Sequence, residues 1–115
     1  MDKIEKLKRL LKIWEEQLVG VKQALYASLL IYGGNKIKRA WELEFKIREF
    51  TRWILYCEEN PGNIGEAIDE ICEDLLEQLI NTNQFRPSST CMVENAKLIV
   101  EGETMKELYK IIKNI

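Results

Sequence analysis

The sequence predicts an all-α fold, an antiparallel bundle of four to five helices led by a long N-terminal helix. Three observations point there. First, positions 4 to 32 carry an apolar residue at nearly every slot of an alternating three-and-four spacing: Ile4, Leu7, Leu11, Trp14, Leu18, Val21, Leu25 and Tyr32, with Ser28 the exception. That spacing gathers the side chains on one stripe of a helix. Second, two prolines and six glycines are few breakers for this length, which favours long helices over many short strands. Third, a hydrophobic content of 46% beside 31% charged residues fits a folded chain rather than a disordered one. With 115 residues, the whole of 1–115 reads as one domain able to bury its own core.

The first helix is expected from about Asp2 to Tyr32, ~45 Å long at 1.5 Å per residue. Gly33-Gly34-Asn35 is expected to end it, because glycine accepts the left-handed conformation of a helix C-cap, and Asn35 then caps the next helix. Gly20, inside the first helix, is expected to mark close approach by a neighbour. From Ala24 to Tyr32 the polar face disappears, which predicts cover on several sides.

The second helix is expected over Lys36 to Glu58. Ala40, Leu43, Ile47, Phe50, Ile54 and Cys57 form one apolar stripe, while Trp41, Phe45, Trp53 and Tyr56 fall on nearly the opposite side. A helix with two apolar sides is either sandwiched within its own chain or offers one side to another. Which of the two faces the core is left open by the sequence. Asn60-Pro61-Gly62-Asn63 is a turn, and Asn63 with Glu66 is a capping box that opens a third helix ending near Ile80. Ile64, Ile68, Ile71, Leu75 and Leu79 form its buried stripe, and its other side is acidic.

Asn81 to Ser89 reads as a loop. Residues 91–101 suit either helix or strand. Helix is favoured, because a lone strand in a helical chain has nothing to pair with. Gly102 is expected to break the chain, and Thr104-Met105-Lys106-Glu107 to cap a last, separate helix.

Composition narrows the chemistry. There is no histidine, which removes the commonest general base and the commonest metal ligand. The three cysteines read as small buried hydrophobes. Across a tight antiparallel turn Cys57 and Cys72 would differ by ~9 Å in height, too far for a disulfide, whose Cα atoms lie within about 7 Å. No Gly-rich phosphate loop occurs, and Ser88, Ser89 and Thr90 have no base beside them. The charged start flows straight into the amphipathic pattern, and the longest apolar run, Ala24 to Tyr32, is half of what a bilayer span needs. A cytoplasmic protein without a membrane span is therefore expected. The abundance of Ile, Lys and Glu is compatible with a thermophilic source.

Charge is unevenly placed. Residues 53 to 85 hold eight acids and no Lys or Arg, whereas residues 36 to 52 hold six basic residues against three acids. The simplest expectation is that the second and third helices lie side by side and complement each other. Glu66, Glu70, Glu73 and Glu77 share a helix stripe, a donor type that suits Mg²⁺ or Mn²⁺. The pairs in Glu66-Ala67-Ile68-Asp69 and Glu70-Ile71-Cys72-Glu73 resemble those of all-α nucleoside triphosphate pyrophosphatases. The likeness ends at residues 66–73, because Glu15-Glu16 and Glu58-Glu59 do not continue into the facing double-glutamate pattern. A solvated acidic face is the reading adopted, with no cofactor and no metal.

Lys38, Trp41, Phe45, Arg48, Arg52 and Tyr56 share one side of the second helix and form the candidate interaction surface. Cations interleaved with aromatics also suit nucleic acid, but a net charge of −2 disfavours that partner. The expected function is a non-enzymatic protein–protein interaction module, a small scaffold, adaptor or regulatory subunit. Its surplus apolar surface predicts a homo-oligomer, most simply a dimer. A nucleic-acid-associated protein is the alternative, and a carboxylate-metal hydrolase the remote one.

Overall fold

The computed structural model describes residues 2–28, 33–60, 62–80 and 91–115. Among these residues the chain is all-helical, with α1 (Lys3–Ser28), α2 (Gly33–Glu59), α3 (Ile64–Ile80) and α4 (Met92–Lys113), and no strand. None of these helices is long and apolar enough to cross a membrane.

Asp2 opens α1 as an N-cap. Its carboxylate accepts the Ile4 N–H at 3.0 Å, satisfying a donor that the first turn leaves without a partner. The three-and-four stripe then turns inward. Leu7 and Trp14 are buried, and Ile4, Leu11, Leu18 and Val21 pack against the core. α1 lies antiparallel to α2: the Lys8–Glu58 pair (2.7 Å), the Trp14–Phe50 edge contact (4.5 Å between centroids) and the Lys22–Glu44 pair (3.6 Å) descend α2 as they climb α1. Gly20 does not mark a close approach. It is exposed in a cleft it lines with Lys36 and Arg39 of α2, and nothing lies within 4 Å of where a Cβ would stand.

The helix boundary after α1 also differs from expectation. Gly33 and Gly34 do not stop α1; they are the first residues of α2. The first turn of a helix lacks intrahelical partners for its N–H groups, so breakers are tolerated there better than in the interior. The junction at 29–32 and the cover predicted for the end of the first helix lie outside the described residues.

α2 is the centre of the molecule. α1, α3 and α4 all pack against it. Its stripe of Ala40, Leu43, Phe50, Ile54 and Cys57 is buried, and so are Phe45 and Trp53 from the opposite set. The sandwich alternative is thus realised in part within a single chain: Trp41 is half-buried and Tyr56 exposed. The α2–α3 turn is closed by the Asn63 N–H donating to the Asn60 carbonyl (3.1 Å), and the Asn60 side chain caps α2 by donating to the Tyr56 carbonyl (3.0 Å). Ala67, Ile68, Ile71 and Leu75 are the buried residues of α3, and its six acids are exposed.

Residues 91–101 are helical from Met92 on, and α4 runs without a break through Gly102, so the described residues form four helices and no fifth. Thr104 is not a cap. Its hydroxyl donates to the Val100 carbonyl at 2.7 Å, one turn back in the same helix, and its side chain is buried. A glycine inside a helix costs about 1 kcal/mol relative to alanine. Burying Met105, Leu108 and Ile112 in the same helix recovers roughly 1.5–3 kcal/mol each, which outweighs the break. Lys110 and Lys113 in the last turn complement the helix dipole. The predicted loop, 81–89, lies outside the described residues.

Candidate protein-interaction surface

The structure divides the six residues of the predicted surface. Phe45 is only 4% exposed and belongs to the core, so it is not a contact residue. The physical cause is the position of α2, whose second apolar side is covered by its own chain at Phe45 and Trp53 but not at Trp41 and Tyr56. Arg48 extends over the Phe45 ring, 5.2 Å from its centroid, and stays in water. Trp41 is half-buried. Lys38 is exposed and lines a cleft with Glu103 and Glu107 of α4. Arg52 and Tyr56 alone converge, on a groove between α2 and α3.

That groove follows from how the helices pack. α3 touches α4 more extensively than it touches α2, so the α2–α3 seam stays open, with about 530 Å³ of space. Trp53, Ile71 and Leu75 form its buried floor, and Leu55, 55% exposed, stands at its edge. Four carboxylates line it, Glu49, Glu59, Glu70 and Asp74, against the single guanidinium of Arg52. Glu49 is held by Arg52 at 3.5 Å and by Arg48 at 4.0 Å. The Tyr56 hydroxyl donates to Glu70 across the seam, and that bond, reinforced by desolvation and the carboxylate charge, pushes the phenol above its usual ionisation range. Asp74 accepts from the Gln78 amide at 3.0 Å.

The expected pairing of α2 cations with α3 acids is not formed among the described residues. Arg39, Lys46, Arg48 and Arg52 pair with Glu42 and Glu49 on their own helix, and Lys46 with Glu107 of α4. Lys46 is the feature the sequence reading missed. Its side chain is 4% exposed, its Nζ lies 2.9 Å from Glu42 and 3.1 Å from Glu107, and it sits 5.2 Å from the Trp14 ring centroid. Two signals mark it in the sequence: Glu42 lies one turn earlier, and position 46 borders the stripe of Leu43 and Phe50.

Among the described residues no three His, Cys, Asp or Glu side chains stand together to hold a metal ion. Glu66, Glu70, Glu73 and Glu77 all face solvent. No disulfide joins the cysteines. Cys57 is buried and Cys72 half-buried, as small hydrophobes would be, but Cys91 is exposed at the start of α4. Burial, with Glu58 adding to it, pushes the Cys57 thiol upward. Burial and the nearby Asp69 do the same to Cys72, against the pull of Lys113. Both thiols are thereby held in the less reactive protonated form. No family model matches this chain, and neither do the curated proteins or the solved structures compared with it.

Proposed function

We propose that this chain is a non-enzymatic protein–protein interaction module whose binding site is the α2–α3 groove. One observation carries the reading: an open seam with an apolar floor and an exposed leucine at its edge. A partner side chain entering there exchanges water for apolar surface, at about 25 cal/mol per Å² buried. Selection of displayed peptides against the full chain tests it. The expected result is enrichment of sequences that lose binding to Leu55→Asp, whose thermal melt stays that of the parent. No enrichment, or enrichment indifferent to Leu55, overturns it.

Self-association is a second reading, favoured by Leu76 and Ile80. They lie one turn apart on the outer part of α3, and Ile80 is 74% exposed. Sedimentation at tens of micromolar should then report a dimer that Leu76→Glu with Ile80→Glu dissociates; a monomer in the parent removes it. Nucleic acid fits less well. Lys38, Arg48 and Arg52 are exposed, but Glu49 is shared by both arginines and three further carboxylates line the adjoining groove. A low-salt gel shift abolished by Arg48→Glu and Arg52→Glu would reinstate that alternative.

A further inference from the structure

We infer that the partner entering the α2–α3 groove is a cationic, amphipathic helical segment of another protein, an inference that rests on the groove being the binding site. Its sign follows from the charges that line the seam. Arg52, the one cation of the lining among the described residues, offsets Glu49, which leaves Glu59, Glu70 and Asp74 as the net charge of the lining; Arg48 beside Glu49 lowers that balance by one without entering the seam. Glu66, Glu73 and Glu77 stand exposed on the same helix as Glu70 and Asp74. Residues 53–85 contain no Lys or Arg to neutralise any of them. Lys113 of α4 acts on Cys72, on the α4-facing edge of α3 and not on the groove side. Carboxylates spaced by one helical turn lie within a Debye length of about 8 Å at physiological salt, so their potentials add. Phosphate-bearing partners are repelled, and lysine or arginine side chains are drawn in.

The shape specifies the rest. From Glu49 to Glu59 the α2 wall is about 15 Å long at the helical rise, the length of roughly ten residues of partner helix. A helix lying in a groove between two helices presents apolar anchors at i, i+3 or i+4, and i+7. Those anchors would meet Leu55 and the Trp53–Leu75 floor, while basic residues flanking them meet Glu59 on α2 and Glu70 and Asp74 on α3. Electrostatic complementarity of this kind sets specificity and association rate more than affinity.

The test uses the full chain and fluorescence anisotropy with three labelled peptides. The first carries Leu at helical spacing and Lys elsewhere, the second replaces Lys by Glu, and the third scrambles the first. The expected result is that only the first binds, and that Glu59→Lys with Asp74→Lys weakens it by at least about tenfold, or 1.4 kcal/mol. Leu55→Asp should weaken it as well. Both carboxylates are exposed, and circular-dichroism melts check that the variants fold. If the Lys and Glu peptides bind equally and both depend on Leu55, the groove reading stands and the cationic partner is refuted. If no peptide binds, both are refuted. Binding that ignores the charge reversal, or a self-association that Leu55→Asp abolishes, also overturns the inference, the latter by assigning the groove to a second copy.

Discussion

Lys46 offers the sharpest test of how the helices are held together. Its amine is enclosed, yet its two partners are not: the Glu42 side chain is 24% exposed and Glu107 is 52% exposed. Deleting one member of a fully buried ion pair costs about 3–5 kcal/mol, because the survivor is left charged and dry. Here the survivors are not stranded. Glu42 keeps Arg39 at 2.9 Å, and Glu107 is wetted, so their share falls to about 0–1 kcal/mol. The larger loss is the apolar stem. Three methylenes removed by Lys46→Ala at about 0.8 kcal/mol each give about 2.4 kcal/mol, for a total of about 2–3 kcal/mol. Lys46→Met keeps most of that stem and should stay within about 1 kcal/mol of the parent in either direction. Urea unfolding followed in parallel by tryptophan emission and far-ultraviolet circular dichroism measures both. If methionine is as costly as alanine, the ion pairs and not the stem hold α2 to α4. If alanine costs less than about 1 kcal/mol, burial of the stem does not hold α2 in place.

Other perturbations follow from the same packing. Burial pushes the Glu42 carboxyl up, but hydrogen bonds and charge from Lys46 and Arg39 more than offset that and bring it below 4.5. A carboxyl depressed by folding stabilises above its unfolded pKa and loses that contribution as pH falls through the folded value. Glu42→Gln should therefore be less stable than the parent at pH 7, with the gap closing as pH drops from about 4.5 downward in matched urea titrations. A gap that persists in acid refutes the assignment. Gly20→Ala meets nothing within 4 Å and should stabilise α1 by about 0.5–1 kcal/mol, read as a raised melting temperature. A thiol reagent followed by mass spectrometry should label Cys91 first and Cys72 slowly. Cys57 should be labelled only when the chain unfolds, because it is buried and its thiol is held protonated.

Where side-chain spacing decides structure, the sequence was legible. The stripes of α1 and α3 and the first stripe of α2 are local patterns, and their described members are buried or packed against the core; the Asn60–Asn63 turn is local too, closed by the Asn63 N–H on the Asn60 carbonyl. The errors share one cause. Gly33-Gly34 and Gly102 are locally unfavourable in a helix, and a local reading ends the helix at each. What keeps α4 continuous through Gly102 is packing between segments far apart in sequence, in the buried Met105, Leu108 and Ile112. The exposure of the candidate surface was not legible either, for the same reason. Trp41, Phe45 and Tyr56 share a helical side, but which of them meets water depends on where α3 and α4 come to rest. Leu55 entered no stripe, because the helical pattern assigns it to neither apolar set.

The placement of α2 also constrains where any partner can dock. α2 packs against α1, α3 and α4 and keeps one side in water, with Ile37, Arg48, Thr51, Arg52 and Leu55 exposed, while its Arg39, Lys46, Arg48 and Arg52 are engaged by Glu42, Glu49 and Glu107. Its concave surface is the seam, where α3 packs more on α4 and leaves Leu55, Tyr56 and Trp53 beside four carboxylates. The acids of α3 then have a role that intramolecular pairing does not give them. With Arg52 paired to Glu49 and no Lys or Arg in α3, the charge of Glu59, Glu70 and Asp74 along the seam has, among the described residues, no cation of the lining left to meet it. On the proposed reading, a basic segment supplied from outside would be the complement of this charge and this apolar floor.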